Sequence, residues 1–264
     1  MIMGFDVAVF SNAGGRAYNE DTAGYLTEQD SGIFVVADGL GGHENGELAS
    51  ACVRDVMLEG WTAREAEGQR PVMQYQESFS GNQPVTEPAR AAWLAACANE
   101  ANRRILALQE ANGSVMKSTM AALAIDGEQA VWAHVGDTRV YYLHHGWVQS
   151  VTQDHSVAYK KFRAGEISYE AIAWDEDQSR LLRSLGSEER YEAEVTVCET
   201  PLVSGDAFLL CSDGAWEYLR DGEIAIDLLK AKNALQWTEL LLLRMMERIT
   251  SGNDNLTLLA VMVS

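Results

Sequence analysis

The sequence predicts an α+β fold in four layers, α/β/β/α, in which two central and mainly antiparallel sheets carry a pair of helices on each outer face. Two observations favour this fold class. Segments with strand and helix patterns come in blocks instead of alternating singly, which is typical of antiparallel layering and not of a parallel sheet. The blocks are strands, two helices, a run of strands, two helices and a last strand, and four layers use all of them.

The first block contains three predicted strands. Residues 5–11 alternate between apolar and polar side chains, and residues 23–28 follow a polar loop. Residues 33–37 form a continuous apolar run, as expected of a strand that is buried on both faces. A helical pattern begins after Gly46 and is expected to run to about Glu59.

A surface excursion is expected next, at residues 62–87, because this segment holds prolines and glycines and has little periodicity. An Ala-rich stretch then predicts one long helix over 88–110, with Leu94, Ala98, Ala101 and Ile105 on one face.

The second half begins with a meander of strands and ends with two helices and a strand. Residues 155–180 predict short helices and loops of mixed polarity. The apolar patterns predict strands at 119–125, 130–135, 140–143, 147–151, 194–198 and 207–211, helices at 224–230 and 234–249, and a last strand at 255–263.

Composition limits the function classes. The 264 residues contain 47% hydrophobic and 22% charged residues and no obvious linker, so we expect one domain over 1–264. The net charge of −19 argues against nucleic acid or an anionic membrane surface as a partner. No signal-peptide pattern and no run of 18 apolar residues is present, so we expect no membrane insertion and a cytoplasmic location. We also expect the protein to be a monomer. The four cysteines lack CxxC spacing and are expected to be reduced core residues.

Three carboxylates stand at the ends of predicted strands. Asp38 follows the strand at 33–37 and precedes a glycine-rich loop, and Asp213 repeats this arrangement after the strand at 207–211. Asp254 follows Gly252-Asn253 and stands at the start of the last predicted strand. Asp-Gly is also a common turn dipeptide that binds nothing in most proteins. The threefold occurrence nevertheless favours one shared acidic site, and carboxylate oxygens suit a hard divalent cation.

Together with further motifs, these acids make the chain resemble the PPM family, the metal-dependent protein serine/threonine phosphatases of the 2C type, in its compact bacterial form. The resemblance covers nearly the whole chain, and its motifs stand in the family's order. They are Gly15-Arg16 with Asn19-Glu20-Asp21, the segment 36–43, Ser118-Thr119, the segment 134–139, Asp154-His155-Ser156, the segment 181–186, Ser212-Asp213-Gly214 and Asp254-Asn255.

The resemblance implies a role for each acid. Asp38 would bridge two Mn²⁺ or Mg²⁺ ions, the carbonyl of Gly39 would bind one of them, and Asp213 and Asp254 would hold the other. Glu20 and Asp21 would orient metal-bound waters. A third, weaker ion is implied at Asp137 together with Asp213; a structural turn is the alternative for Asp137. Arg16 would hold the phosphate, where a guanidinium fork matches the phosphate oxygens.

Other polar residues receive structural interpretations. Arg139 is expected to form a buried ion pair, and His134 and His155 are expected to be structural. His43 stands three residues beyond the position at which many relatives carry a histidine, so we expect a loop residue there. The acidic run 175–177 is expected to be solvated, within a segment 155–180 that corresponds to the family's flap.

The implied activity is hydrolysis of phosphoserine and phosphothreonine in proteins, by in-line attack of a metal-bridging water or hydroxide, in opposition to a bacterial serine/threonine kinase. Arg16, Asp38 and Asp213 would carry the catalysis. Three alternatives remain open: an inert member that binds a partner, an enzyme with the same metal chemistry that acts on a small phosphate ester or regulates the phosphorylation of a transcription factor, and a structural Ca²⁺ site.

Overall fold

The computed structural model of the protein describes residues 4–41, 45–66 and 87–264. The strands are β1 Phe5–Asn12, β2 Thr22–Glu28, β3 Ser31–Ala37, β4 Gly39–Leu40, β5 Lys117–Ser118, β6 Met120–Asp126, β7 Gln129–Val135, β8 Arg139–His144, β9 Trp147–Val151, β10 Glu194–Val197, β11 Ala207–Cys211 and β12 Leu256–Val263. The helices are α1 Asn45–Ala66, α2 Glu87–Asn112, α3 Val157–Arg163, α4 Asp213–Trp216, α5 Asp221–Lys230 and α6 Ala234–Met246, with a 3-10 turn at Ile172–Trp174.

Two five-stranded sheets form the centre of the fold. Their strand orders are β1-β12-β11-β8-β9 and β10-β7-β6-β3-β2, and β4 pairs with β5 in a separate small sheet. Every neighbouring pair of strands is antiparallel. Among the described helices, none combines the length and the apolar character that a membrane-crossing helix needs.

The β3 strand shows how the layers are held together. Ile33 and Val35 pack in the core beneath α1 and α2, whereas Phe34 and Val36 pack in the core between the two sheets. Full burial of a side chain such as Phe34 stabilises the fold by about 1.5–3 kcal/mol. A third core lies between the other sheet and the α5 and α6 helices. The predicted α/β/β/α layering is therefore confirmed.

The α1 helix is longer than its sequence predicts. We expected it to end near Glu59, before Gly60, but it continues to Ala66. Trp61 is buried and packs edge-on against Trp93 of α2, with ring centroids 5.8 Å apart. A Cβ atom on Gly60 would lie 3.0 Å from the sulfur of Cys97, so this glycine allows close helix packing and does not end the helix. The predicted excursion at 62–87 is thus wrong for residues 62–66, which belong to α1, and for Glu87, where α2 begins. Residues 67–86 lie outside the described part of the chain.

The α6 helix ends at Met246 and not at Ile249 as predicted. The chain turns there, and Arg248 donates to the carbonyl oxygen of Tyr218 at 2.6 Å and binds the carboxylate of Glu223 at 2.6 Å. These contacts tie the end of α6 to the start of α5.

The acidic run 175–177 is not simply solvated, contrary to our expectation. Lys161 binds both Asp175 and Asp177, each at 2.8 Å, and the two carboxylate side chains are only 11% and 18% exposed. The run therefore anchors the 3-10 turn to α3.

Candidate metal centre

The two sheets bring six carboxylates together at one end of the fold. Strand pairing explains the assembly. Ala37 of β3 stands opposite Thr22 of β2, so Asp38, which follows Ala37, lies beside Asp21, which precedes Thr22. Likewise Cys211 of β11 pairs with Leu258 of β12, which places Asp213 beside Asp254. We call the group the acidic cluster; its members are Glu20, Asp21, Asp38, Asp137, Asp213 and Asp254.

The carboxylates of the acidic cluster repel one another. Burial is the largest cause that raises the pKa of Asp38 well above its ordinary value, and repulsion by the other four aspartates adds to it. Burial, followed by the charge of Asp254, raises the pKa of Asp213 to about 7. The pKa of Asp137 is raised in the same way, by burial and then by Asp213. Like charges this close together, in buried and half-buried positions, favour a bound cation.

The backbone of Asp38 is fixed by the Ser118-Thr119 pair. The Asp38 N–H donates to Thr119 Oγ1 at 2.9 Å, and the Asp38 carbonyl oxygen accepts from the Thr119 N–H at 2.9 Å and from Ser118 Oγ at 3.0 Å. Thr119 Oγ1 lies 2.5 Å from the hydroxyl of Thr138, which follows Asp137. One threonine therefore positions two loops of the acidic cluster.

Glycines let three backbone segments approach one another beside Asp38. The Gly39 N–H donates to the carbonyl oxygen of Glu20 at 3.1 Å. A Cβ atom on Gly39 would lie 2.1 Å from the carbonyl oxygen of Gly46, and one on Gly46 would lie 2.7 Å from the Glu20 carboxylate. A side chain at either position would displace Glu20, so this close approach of the backbone requires glycine at 39 and at 46.

Asp21 supplies a buried oxygen with an unused lone pair. Ser212 Oγ donates to Asp21 Oδ2 at 2.7 Å, and the Thr257 N–H holds Ser212 Oγ at 3.1 Å. Asp21 Oδ1 is buried without a hydrogen-bond partner among the described residues. Burial raises the pKa of this carboxyl. An orphaned oxygen in an all-oxygen donor set fits a hard divalent cation or its water.

Arg16 reaches the acidic cluster through Asp254. Its guanidinium lies 2.8 Å from Asp254 Oδ2, and the two side chains are 56% and 42% exposed. Asn255 fixes the loop that carries Arg16, because its amide donates to the carbonyl oxygens of Ala13 and Tyr18, both at 2.9 Å. Asn255 Oδ1 also accepts from the Glu20 N–H at 2.8 Å. The sequence marks Asn255 only as part of a motif; its bracing role depends on contacts more than 230 positions away.

Asp137 is held from the opposite side by Trp216, whose indole N–H donates to the Asp137 carbonyl oxygen at 2.8 Å. The guanidinium of Arg139 lies 3.5 Å from the centre of the Trp216 ring and binds Asp154 at 2.6 Å. Both members of that ion pair are buried, so the predicted buried ion pair of Arg139 is confirmed.

Gln178 contacts the acidic cluster, which the sequence did not predict. Its amide donates to Asp213 Oδ2 at 3.3 Å, while the Gly214 N–H donates to Asp213 Oδ1 at 2.7 Å. Nothing in the pattern around Gln178 signals this contact, because Asp213 stands 35 positions further along the chain.

His134, His155 and Glu194 form a second group, in which one possible ligand atom from each lies within 4.8 Å of the others. The imidazole rings stack with centroids 4.5 Å apart. The backbone N–H of His155 donates to the Gly136 carbonyl oxygen at 2.8 Å, and the backbone N–H of Gly136 donates to the imidazole Nδ1 of His155 at 3.2 Å. Burial lowers the pKa of His155 to about 3. The geometry shows a neutral histidine that braces the loop before Asp137.

All seven predicted site residues with side chains lie at this end of the fold, together with Gly39. His43 and Gly42, also considered from the sequence, fall outside the described residues. The arrangement offers oxygen ligands around a buried acidic centre and one exposed guanidinium at its edge.

Comparisons with known proteins relate the whole chain to one family. The profile of the family described as protein phosphatase 2C matches residues 11–239. The serine/threonine phosphatase stp of Listeria welshimeri is 30% identical over 249 residues, which cover 93% of this chain and 90% of that protein.

Solved structures share the fold of this chain. The serine/threonine phosphatase of S. agalactiae superposes with a TM-score of 0.77 at 25% identity, covering 99% of this chain and 100% of that one. The catalytic domain of the protein phosphatase PstP, solved in complex with two manganese ions, superposes with a TM-score of 0.75 at 24% identity and covers 99% of both chains.

Proposed function

The chain belongs to the protein phosphatase 2C family and is a protein serine/threonine phosphatase, and we propose that its acidic cluster hydrolyses the phosphomonoester by in-line attack of water with the help of two divalent cations, Mn²⁺ or Mg²⁺. The observation that carries the proposal is the unbalanced charge of the cluster. In the described part of the chain, the ion pair that reaches the cluster runs from Arg16 to Asp254. Buried carboxylates that repel one another need a further cation.

Asp38, Asp213, Asp254 and the carbonyl of Gly39 would hold the ions. When bound, divalent cations lower the pKa of a water and neutralise phosphoryl oxygens. The orphaned oxygen of Asp21 supports its place beside such a water. The two-manganese complex of PstP supports the count of two ions and the choice of Mn²⁺.

Glu20 and Asp137 would act at the edges of the same centre. The Glu20 carboxylate lies against Gly46 at the start of α1 and would orient waters. Asp137 would hold the third, weaker ion together with Asp213. Burial and then the charge of Asp213 raise the pKa of Asp137, which supports a cation shared by the two carboxylates.

Arg16 would bind the phosphate. Its guanidinium stands at the exposed edge of the acidic cluster, where a phosphoprotein can approach, and it already binds one oxygen anion there. A guanidinium has donors enough to hold a phosphate oxygen pair while it remains close to Asp254.

The biological setting follows from the chemistry. A phosphoseryl or phosphothreonyl protein is made by phosphoryl transfer from a nucleotide, so a serine/threonine kinase stands upstream and the pair would act in signalling. Four free cysteines support a reducing, cytoplasmic compartment. We further infer a monomer with one domain over 1–264, in which the segment 155–180 acts as a flap beside the acidic cluster.

The proposal is tested by hydrolysis of p-nitrophenyl phosphate and of a phosphothreonine peptide, first with EDTA and then with added Mn²⁺ or Mg²⁺. We expect activity to disappear with the chelator and to return with the metal. Asp38→Ala and Asp213→Ala are expected to abolish hydrolysis, whereas Asp55→Ala, at an exposed acid of α1, is the matched control. Undiminished turnover in EDTA, or in both cluster variants, would refute the mechanism.

A further inference from the structure

A cavity of about 310 Å³ opens between the 3-10 turn and the connection from α4 to α5. Four aromatic side chains line it: Tyr169, Trp174, Trp216 and Tyr218. Three carboxylates, those of Glu170, Glu217 and Asp221, line it as well. The volume stands at the lower end of the ~300–1,000 Å³ range of ligand pockets, which suits a single side chain better than a large cofactor.

The cavity adjoins the acidic cluster. The α4 helix begins at Asp213 and ends at Trp216, so one helical turn separates the cluster from the cavity wall. Trp216 connects them directly through its hydrogen bond to the Asp137 carbonyl oxygen. A protein segment whose phosphorylated residue lies at the cluster therefore passes close to this cavity.

The cations in the cavity wall are already neutralised. Arg139 binds Asp154 at 2.6 Å and Arg248 binds Glu223 at 2.6 Å, and neither acid lines the cavity. Hydrogen bonds from its own backbone N–H and from Ser168 lower the pKa of Glu170, and the charge of the exposed Arg220 lowers it further. The acids Glu217 and Asp221 are left in excess, and burial raises the pKa of each of them.

The inner wall shows how the cavity would hold a positive charge. The guanidinium of Arg139 lies 3.5 Å from the centre of the Trp216 ring and 5.8 Å from that of Tyr169. At the mouth, Trp174 is 68% exposed and meets Tyr218 edge-on with centroids 6.2 Å apart. An exposed tryptophan next to carboxylates that form no ion pair among the described residues is the chemistry that binds a cationic side chain.

We propose that this cavity is a specificity subsite that takes a lysine or arginine side chain flanking the phosphorylated residue of the substrate. The inference rests on the proposed phosphatase function and adds the substrate class that the same site prefers. Asp221 and Glu217 supply the charge, and Trp174 covers the apolar stem of the incoming side chain.

The test uses pairs of phosphothreonine peptides that differ at one flanking position, where one peptide carries lysine and the other the uncharged norleucine. The wild-type protein is expected to show a kcat/KM ratio of about fivefold or more in favour of lysine at one such position. Asp221→Asn and Trp174→Ala should each bring that ratio towards one. Glu176→Gln, at an exposed acid of the same segment that does not line the cavity, is the matched control and should keep the wild-type ratio.

The outcomes separate the subsite from the phosphatase function. Equal kcat/KM for lysine and norleucine at every position, or a preference that survives in both variants, would overturn the subsite and leave the phosphatase function standing. No hydrolysis of any phosphopeptide by the metal-loaded wild-type protein would overturn both. Trp174 is exposed, so Trp174→Ala should fold even if the change at Asp221 disturbs the start of α5.

Discussion

Arg16 and Asp254 form an ion pair of 2.8 Å although 238 positions separate them in the chain. The pair joins the loop after β1 to the turn before β12, and these two strands are neighbours along their whole length. It is half exposed, so it contributes little to stability by itself. Its position at the rim of the acidic cluster gives it a functional meaning, because the residue proposed to bind phosphate touches a residue proposed to bind metal.

We therefore expect Arg16→Ala to impair substrate binding more than folding. The kcat/KM for a phosphothreonine peptide should fall roughly 10- to 100-fold, since a charge-assisted contact to phosphate is lost. Arg16→Lys should recover only part of this, because an ammonium group lacks the planar fork. Arg54→Ala, which removes a half-buried arginine that pairs with Asp55 away from the acidic cluster, is the control. Equal kinetics for Arg16→Ala and Arg54→Ala would contradict the role.

Asp38→Asn is expected to separate activity from stability. Replacing one member of a repelling buried group by a neutral isostere removes repulsion, so the melting temperature in EDTA should rise. Hydrolysis should fall by about 10³-fold or more because a cation ligand is lost. Thermal melts in EDTA and in Mn²⁺ measure this: the metal should stabilise the wild-type protein and have little effect on the variant. An unchanged response of the variant to Mn²⁺ would count against Asp38 as a ligand.

Much of this arrangement could be predicted from the sequence because the local patterns agree with the tertiary structure. The apolar run of β3 is buried on both faces, and Asp38 stands at its end as expected. Each predicted acid follows or precedes a strand, and the antiparallel pairing gathers these strand ends at one side.

What the sequence did not predict depends on distant partners. Gly60 has the local character of a helix end, but Cys97 on α2 makes it a packing position. The acids at 175 and 177 resemble a solvated run, but Lys161 neutralises them. Gln178 carries no pattern of its own, and its contact with Asp213 exists only in the folded chain.

The pH dependence of stability without metal should reveal the raised pKa of Asp213. Its carboxyl has a pKa of about 7 in the folded state and an ordinary value near 4 in the unfolded chain. Between these values the folded state binds more protons, so this group lowers the free energy of unfolding as the pH rises from about 4 to about 7.

Asp213→Asn should remove that slope. The wild-type protein in EDTA is expected to lose stability relative to the variant, on the order of a few kcal/mol across the window. His155, whose pKa is lowered to about 3, acts in the opposite direction but equally in both proteins, and so cancels in the difference. Denaturant unfolding at a series of pH values measures the difference; parallel curves for the two proteins would show that Asp213 titrates normally.

Thr119 offers the sharpest test of how the acidic cluster is positioned. Thr119→Val keeps the shape of the side chain but removes the acceptor of the Asp38 N–H and the partner of Thr138. The side chain is fully buried, and a buried donor left without a partner costs about 1–3 kcal/mol of unfolding free energy. Because the lost contacts hold both Asp38 and the Asp137 loop, the affinity for Mn²⁺ should weaken as well.

Thr119→Ser should restore both the free energy of unfolding and the Mn²⁺ affinity, since it keeps the hydroxyl. Thr62→Val, which removes an exposed hydroxyl contact to the Leu58 carbonyl within α1, should leave Mn²⁺ affinity at the wild-type value. Calorimetric titration with Mn²⁺ and denaturant unfolding of the same variants decide the matter: wild-type Mn²⁺ affinity in Thr119→Val would show that the acids hold their places without this clamp.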